Sequence, residues 1–104
     1  GLGRDAALLL AEEGAGVVAV GRDEADGRSL EGEAAGLPGE VAFLAGDVRD
    51  ESTHDAAVDL ARERFGRLDA YVNNAGILGP EGPLHETTVE AWEEVNAVNM
   101  RGTF

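Results

Sequence analysis

The sequence contains no cysteine and no lysine. The first absence removes disulfides, thiolate metal sites and a cysteine nucleophile, and it fits a reducing compartment. The second removes any step within these residues that needs a lysine ammonium, because all eight basic residues are Arg. No apolar run approaches the roughly 18 residues that cross a bilayer, and no basic segment followed by an apolar core reads as a secretory leader. The expectation is a soluble, cytoplasmic chain with no membrane partner. Positive charge is also short: the formal net charge is −13, and the arginines are scattered. Binding to a phosphate backbone needs clustered cations, so nucleic acid is not expected as a partner.

What is present is enough for one modest core, with 104 residues of which 43% are hydrophobic. That suits a single domain or part of one. The chain opens at Gly1 rather than Met and stops at Phe104 inside an expected helix, so it reads as an internal piece, with residues 1–104 forming part of one domain.

Leu2 to Glu13 is rich in Ala and Leu and predicts a helix, with Gly14 placed for a left-handed cap. Gly16 to Val20 is a short apolar run between glycines, as in a strand buried on both faces of a parallel sheet. Asp23 to Ala35 predicts a weaker helix with Leu30, Ala34 and Ala35 on one side, stopped by Gly36, Pro38 and Gly39. Val41 to Leu44 predicts a second strand. Asp50 can cap a third helix in which Ala57, Val58, Ala61 and Phe65 recur at helical spacing before Gly66. Leu68 to Val72 predicts a third strand. Thr87-Thr88-Val89-Glu90 has the capping-box pattern, so a fourth helix should begin near Thr88. Helices and strands alternating across short links imply a parallel sheet covered on both faces, a Rossmann-like, doubly wound α/β fold.

Four places carry possible chemistry. Gly1-Leu2-Gly3 opens into the first helix, where bare backbone lets a pyrophosphate approach unpaired N–H groups; a plain loop is the alternative. Gly21-Arg22 ends the first strand about where a ribose-reading residue is expected, roughly 20 residues after the glycines. A carboxylate there would repel a 2′-phosphate and an Arg attracts it, which favours NADP over NAD. A solvated Arg22 at a helix start is the alternative, and Asp23 remains available to a bare ribose. Asp47, in Gly46-Asp47-Val48, falls at the carboxyl edge of the sheet, as a ligand contact or as a turn Asp. Asn73-Asn74-Ala75-Gly76 follows the third strand at the same edge, where amides can shape a cofactor wall.

These motifs together resemble the short-chain dehydrogenase/reductase family over essentially the whole chain. The family pattern has a TGxxxGxG turn, an Asp-Val after the third strand and an NNAG after the fourth. The resemblance implies that Gly1 and Gly3 are the last glycines of the turn, that Asp47 meets the adenine amino group with Val48 beside it, and that Asn73 to Gly76, with Asn74, Ala75 and Gly76 foremost, border the cofactor. The family's first strand and first glycine have no counterpart here, nor does its C-terminal half. On the fourth helix Trp92, Val95 and Asn99 share a face with core residues, so the Asn99 amide needs partners there. It can satisfy backbone groups, and the resemblance makes it the catalytic asparagine that supports an active-site water.

The family moves a hydride between nicotinamide and a carbonyl or alcohol, using a Tyr, a Lys and a Ser. None of the three can be assigned. Tyr71 is the only tyrosine, lies in an expected buried strand and has Ala75 four residues on. His54 and His85 read as isolated and solvated. The Gly79-to-Leu84 stretch reads as a surface loop or a substrate border, and the 21 acidic residues as solvated helix faces. The implied function is an NAD(P)-dependent oxidoreductase acting on a small carbonyl or alcohol, homo-oligomeric at full length, with this piece inactive by itself. The rival is a nucleotide-binding regulator of the same fold that has lost catalysis. In strand order 3-2-1-4 the first strand would sit between the two halves of the remaining sheet. These residues alone should then be weakly stable or prone to aggregate.

Overall fold

The structure, a computed structural model, describes residues 1–104. Helix α1 (Leu2–Glu12) leads into strand β1 (Gly16–Gly21), followed by α2 (Glu24–Ala34), β2 (Glu40–Ala45) and α3 (Glu51–Phe65). The remainder holds a 3-10 turn at Leu84–Glu86, helix α4 (Val89–Asn96) and a π-helical turn at Ala97–Arg101. Each expected helix is present. Gly14 (φ +90°) and Gly66 (φ +78°) supply the left-handed turns after α1 and α3, which a residue with a Cβ rarely adopts.

The sheet is parallel and has two strands, with Gly16 opposite Glu40 and Gly21 opposite Ala45. Its core is small: Ala7 and Ala11 of α1, Leu30 and Ala34 of α2, and Val41 of β2 form one buried cluster, with Val17 and Ala19 of β1 packed on it. Side chains alternate faces along a strand, so Val17 and Ala19 share one side and Gly16 lies on the other. There a Cβ on Gly16 would fall 2.5 Å from the Phe65 ring of α3. Helices therefore cover both faces of β1, as doubly wound α/β architecture requires. Arg4 ties α1 to α2, bonding the Glu33 carboxylate at 2.6 Å, the Ser29 hydroxyl at 3.1 Å and the Asp26 carbonyl at 3.3 Å. At the free edge of β2 the Glu31 carboxylate accepts the Phe43 N–H at 2.8 Å.

Several expectations need correction. Leu68 to Val72 is not a strand: residues 67–83 form no regular element. A strand is defined by its ladder, and no neighbour lies within bonding reach of this segment. The apolar pattern was sound but the pairing partner is missing. For the same reason β1 is only half-buried rather than closed on both sides. Ala35 is exposed beyond the end of α2. Asp50 occupies the N-cap position of α3 without a side-chain bond to it. On α4 the cap is Thr88, whose hydroxyl accepts the Ala91 N–H at 3.2 Å, so the reciprocal Glu90 arm of a capping box does not form. Trp92 does not face a core and is 60% exposed. With α4 standing clear, the radius of gyration is 15.5 Å, against about 13 Å for a compact chain of this size.

No helix is long and apolar enough to cross a membrane.

Candidate functional site

The α1 N-terminus begins at Gly1, which has no side chain to cap it, so the first N–H groups of the helix face outward with no side-chain acceptor. Beside them runs the Asn73-to-Gly76 segment. A Cβ on Gly3 would fall 2.5 Å from the Asn74 amide nitrogen, so only glycine lets the helix start and the amide-bearing segment approach this closely. Two stretches separated by 70 residues in the sequence are thus brought together, as the motifs suggested.

Between β1 and residues 68–75 lies a groove of about 1230 Å³. Its walls are the unpaired side of β1 and an extended run of backbone, and Gly1, Leu2, Gly3, Arg22, Val48, Asn74 and Ala75 all line it. Small-molecule pockets hold about 300–1,000 Å³, so the groove is larger than a ligand needs and has the form of a strand's berth. This is where the strand order placed the first strand.

At the carboxyl edge of the sheet, Arg22 follows β1 with its side chain exposed. Asp23, the other ribose candidate, caps α2 with one carboxylate oxygen, which accepts the Asp26 N–H at 3.0 Å. Asp47 is a turn residue, its Oδ1 accepting the Arg49 N–H at 2.9 Å. The Arg49 side chain then folds back on the same carboxylate, with Nε 3.0 Å from both oxygens and Nη2 2.6 Å from Oδ2. These bonds, helped by the charges of Arg49 and Arg22, hold the Asp47 carboxyl down at about 2. Arg49 is raised in turn by the bonded carboxylate.

Asn99 sits in the π-helical turn, half-buried. Its Oδ1 accepts the Ile77 N–H at 2.8 Å and its Nδ2 donates to the Ile77 carbonyl at 2.9 Å. One side chain therefore satisfies both backbone groups of the residue after Gly76. The π turn closes through the Gly102 N–H to the Ala97 carbonyl at 3.0 Å. Gly102 rests on the Asp47 loop, where an added Cβ would fall 2.9 Å from the Val48 side chain.

Two contacts escaped the sequence reading. Arg49 lies two residues after Asp47, a separation at which a loop arginine can turn back on a carboxylate, and that spacing was the available signal. His54 is neither isolated nor freely solvated: its Nε2 is 2.8 Å from the Val48 carbonyl and its Nδ1 2.9 Å from the Tyr71 hydroxyl. Tyr71 correspondingly lies not in a buried strand but on the extended segment, 52% exposed. Nothing in the sequence separation of 17 residues announced that pair. His85 is exposed in the 3-10 turn, as expected.

Residues 1–104 match, from end to end, a family model described as short chain dehydrogenase. A levodione reductase of Leifsonia aquatica is 38% identical over 109 residues, spanning 100% of this chain and 40% of its own. An L-fucose dehydrogenase of Oryctolagus cuniculus is 39% identical over 104 residues, again across 100% of this chain and 35% of its own. Among solved structures, a 3-ketoacyl-ACP reductase from Sinorhizobium meliloti superposes with a TM-score of 0.92 at 40% identity, covering 100% of this chain and 41% of that protein. The chain spans about two fifths of the length of the relatives it matches.

Proposed function

This chain belongs to the short chain dehydrogenase family, and on that premise we propose that the whole protein transfers a hydride between a nicotinamide cofactor and a small carbonyl or secondary-alcohol substrate. These residues form the dinucleotide-binding half. The observation that carries the reading is the contact of Gly3 with Asn74, which joins the helix start to the amide-bearing wall beside it. A pyrophosphate would lie on the outward N–H groups of Gly1, Leu2 and Gly3, where the helix dipole favours its charge. Asp47 and Val48 would meet the adenine, and Asn74, Ala75 and Gly76 would border the rest of the cofactor.

NADP is preferred over NAD in this reading, because Arg22 offers an exposed guanidinium at the end of β1. The bound cofactor supplies the hydride chemistry. Asn99 holds Ile77 through both backbone groups and so fixes the segment that follows the wall; an active-site water would take its place next to this turn. The substrate is a small molecule, and the full-length protein acts as a homo-oligomer in the cytoplasm.

The test is a fluorescence titration of the whole protein with NADPH and NADH, followed by a panel of carbonyl compounds. Tighter NADPH binding that collapses in Arg22→Ala is the expected result, and equal NADPH affinity in both proteins removes Arg22 from the argument. Cofactor binding without turnover on any carbonyl would transfer the reading to a nucleotide-binding regulator.

A further inference from the structure

We infer that His54 is a positioning residue for the cofactor site: its imidazole bridges the loop after β2 and the segment before the amide wall, and so sets the spacing between them. This rests on the proposed binding of a dinucleotide across that edge. His54 stands in the first turn of α3, with Nε2 2.8 Å from the Val48 carbonyl and Nδ1 2.9 Å from the Tyr71 hydroxyl. A carbonyl accepts and cannot donate, so Nε2 carries a proton. In the neutral ring Nδ1 is then bare, and the Tyr71 hydroxyl donates to it. One backbone carbonyl thereby decides both the tautomer and the direction of the second bond.

Both partners adjoin the proposed cofactor contacts. Val48 is one of them, and Tyr71 lies two residues before Asn73. The bond to His54 is also the one hydrogen bond that joins residues 67–75 to another part of the chain, since Arg67 and Asp69 bond each other. A strand lying in the groove would hold residues 68–75 by a ladder, but a ladder joins strands and leaves the loop after β2 unattached. The imidazole attaches it. Without that bridge the loop and the wall take up other spacings, and a site that is competent for only part of the time binds more weakly by that fraction.

The measurement is NADPH affinity of the whole protein, read by cofactor fluorescence in a double-mutant cycle. Tyr71→Phe keeps the ring and removes the hydroxyl, and should raise the dissociation constant about fivefold, the worth of one such bond. His54→Ala cuts both bonds and should raise it about tenfold, with the KM for cofactor rising and kcat left in place. The double variant should bind no more weakly than His54→Ala, because the second bond is already gone; effects that add would show two separate roles and overturn the bridge. His54→Gln can still donate to the Val48 carbonyl and should recover part of the loss, whereas no recovery would deny the bond its part. Nitrogen-15 spectra of the imidazole, assigned through His54→Gln, should show the Nε2–H tautomer, and the Nδ1–H form would overturn the assignment. If Tyr71→Phe and His54→Ala both leave NADPH affinity unchanged while Arg22→Ala weakens it, the inference fails and the proposed function stands. If the unsubstituted protein binds neither NADPH nor NADH, the proposed function fails and the inference falls with it.

Discussion

Residues 1–66 and residues 67–104 both carry large apolar side chains, yet they reach different degrees of burial. In the first stretch five elements bury one another, both strands find a partner, and α1 and α2 are joined by the Arg4 bonds. In the second, Leu68, Val72, Leu78, Leu84, Trp92 and Met100 are all roughly half exposed or more, and Leu78 reaches 95%. The difference is one of partners rather than of local propensity. An extended apolar segment gains a ladder and a dry face only when another strand lies beside it, and the groove next to residues 68–75 is open. What ties the second stretch to the first is a short set of specific contacts: Asn74 on Gly3, Tyr71 on His54, and Gly102 on Val48.

The sharpest way to break this comparison is to make matched deletions in the two stretches. Leu30→Ala, in the buried cluster, should cost about 2–5 kcal/mol, whereas Trp92→Ala removes a larger side chain and should move stability by no more than about 0.5 kcal/mol. Urea melts of the 104-residue chain check both, and equal costs would show that α4 is buried in solution. A broad, shallow transition even before substitution is expected of a core this small, and a steep cooperative one would count against it.

Next in size is Asn99→Ala. It leaves the Ile77 N–H and carbonyl without partners, worth about 1–3 kcal/mol locally, and faster proteolysis between residues 76 and 83 should report it. Global melting of residues 1–66 should hardly change, because the lost bonds lie wholly in the second stretch.

The smallest effect is that of acid. Asp47 has a folded value of about 2, below the ordinary carboxylate value of about 3.9, so its bonds to Arg49 stabilise fully above the ordinary value. That contribution fades as pH falls from about 4 towards 2. The stability gap between the unsubstituted chain and Arg49→Ala should therefore be flat above about pH 5 and close below it, and a gap that persists at pH 2 would deny the carboxylate's part.

Much of this was legible because it is local. Gly14 and Gly66 mark helix ends through their own backbone angles, Thr88 marks a helix start through its own hydroxyl, and the Ala57 and Ala61 spacing marks a buried face. The closeness of the Gly1-to-Gly3 turn and the Asn73-to-Gly76 segment was legible through motif spacing, and the structure brings Gly3 and Asn74 together. What stayed hidden depends on partners at a distance. Leu68 to Val72 has strand composition, but composition cannot supply a ladder. Trp92 lies on the apolar stripe of its helix, but a stripe does not reveal whether anything packs against it. The folding back of Arg49 and the meeting of His54 with Tyr71 are choices of side-chain rotamer and loop path, on which a pattern of residue types is silent.

The carboxylate of Glu31 on the Phe43 N–H has a bearing on how copies of this chain can meet. Unpaired strand edges are sticky, and a sheet with two of them can add neighbours without end, as fibres do. Here one outward N–H of β2, that of Phe43, is already taken by a charged side chain, which makes that edge a poorer template for a further strand.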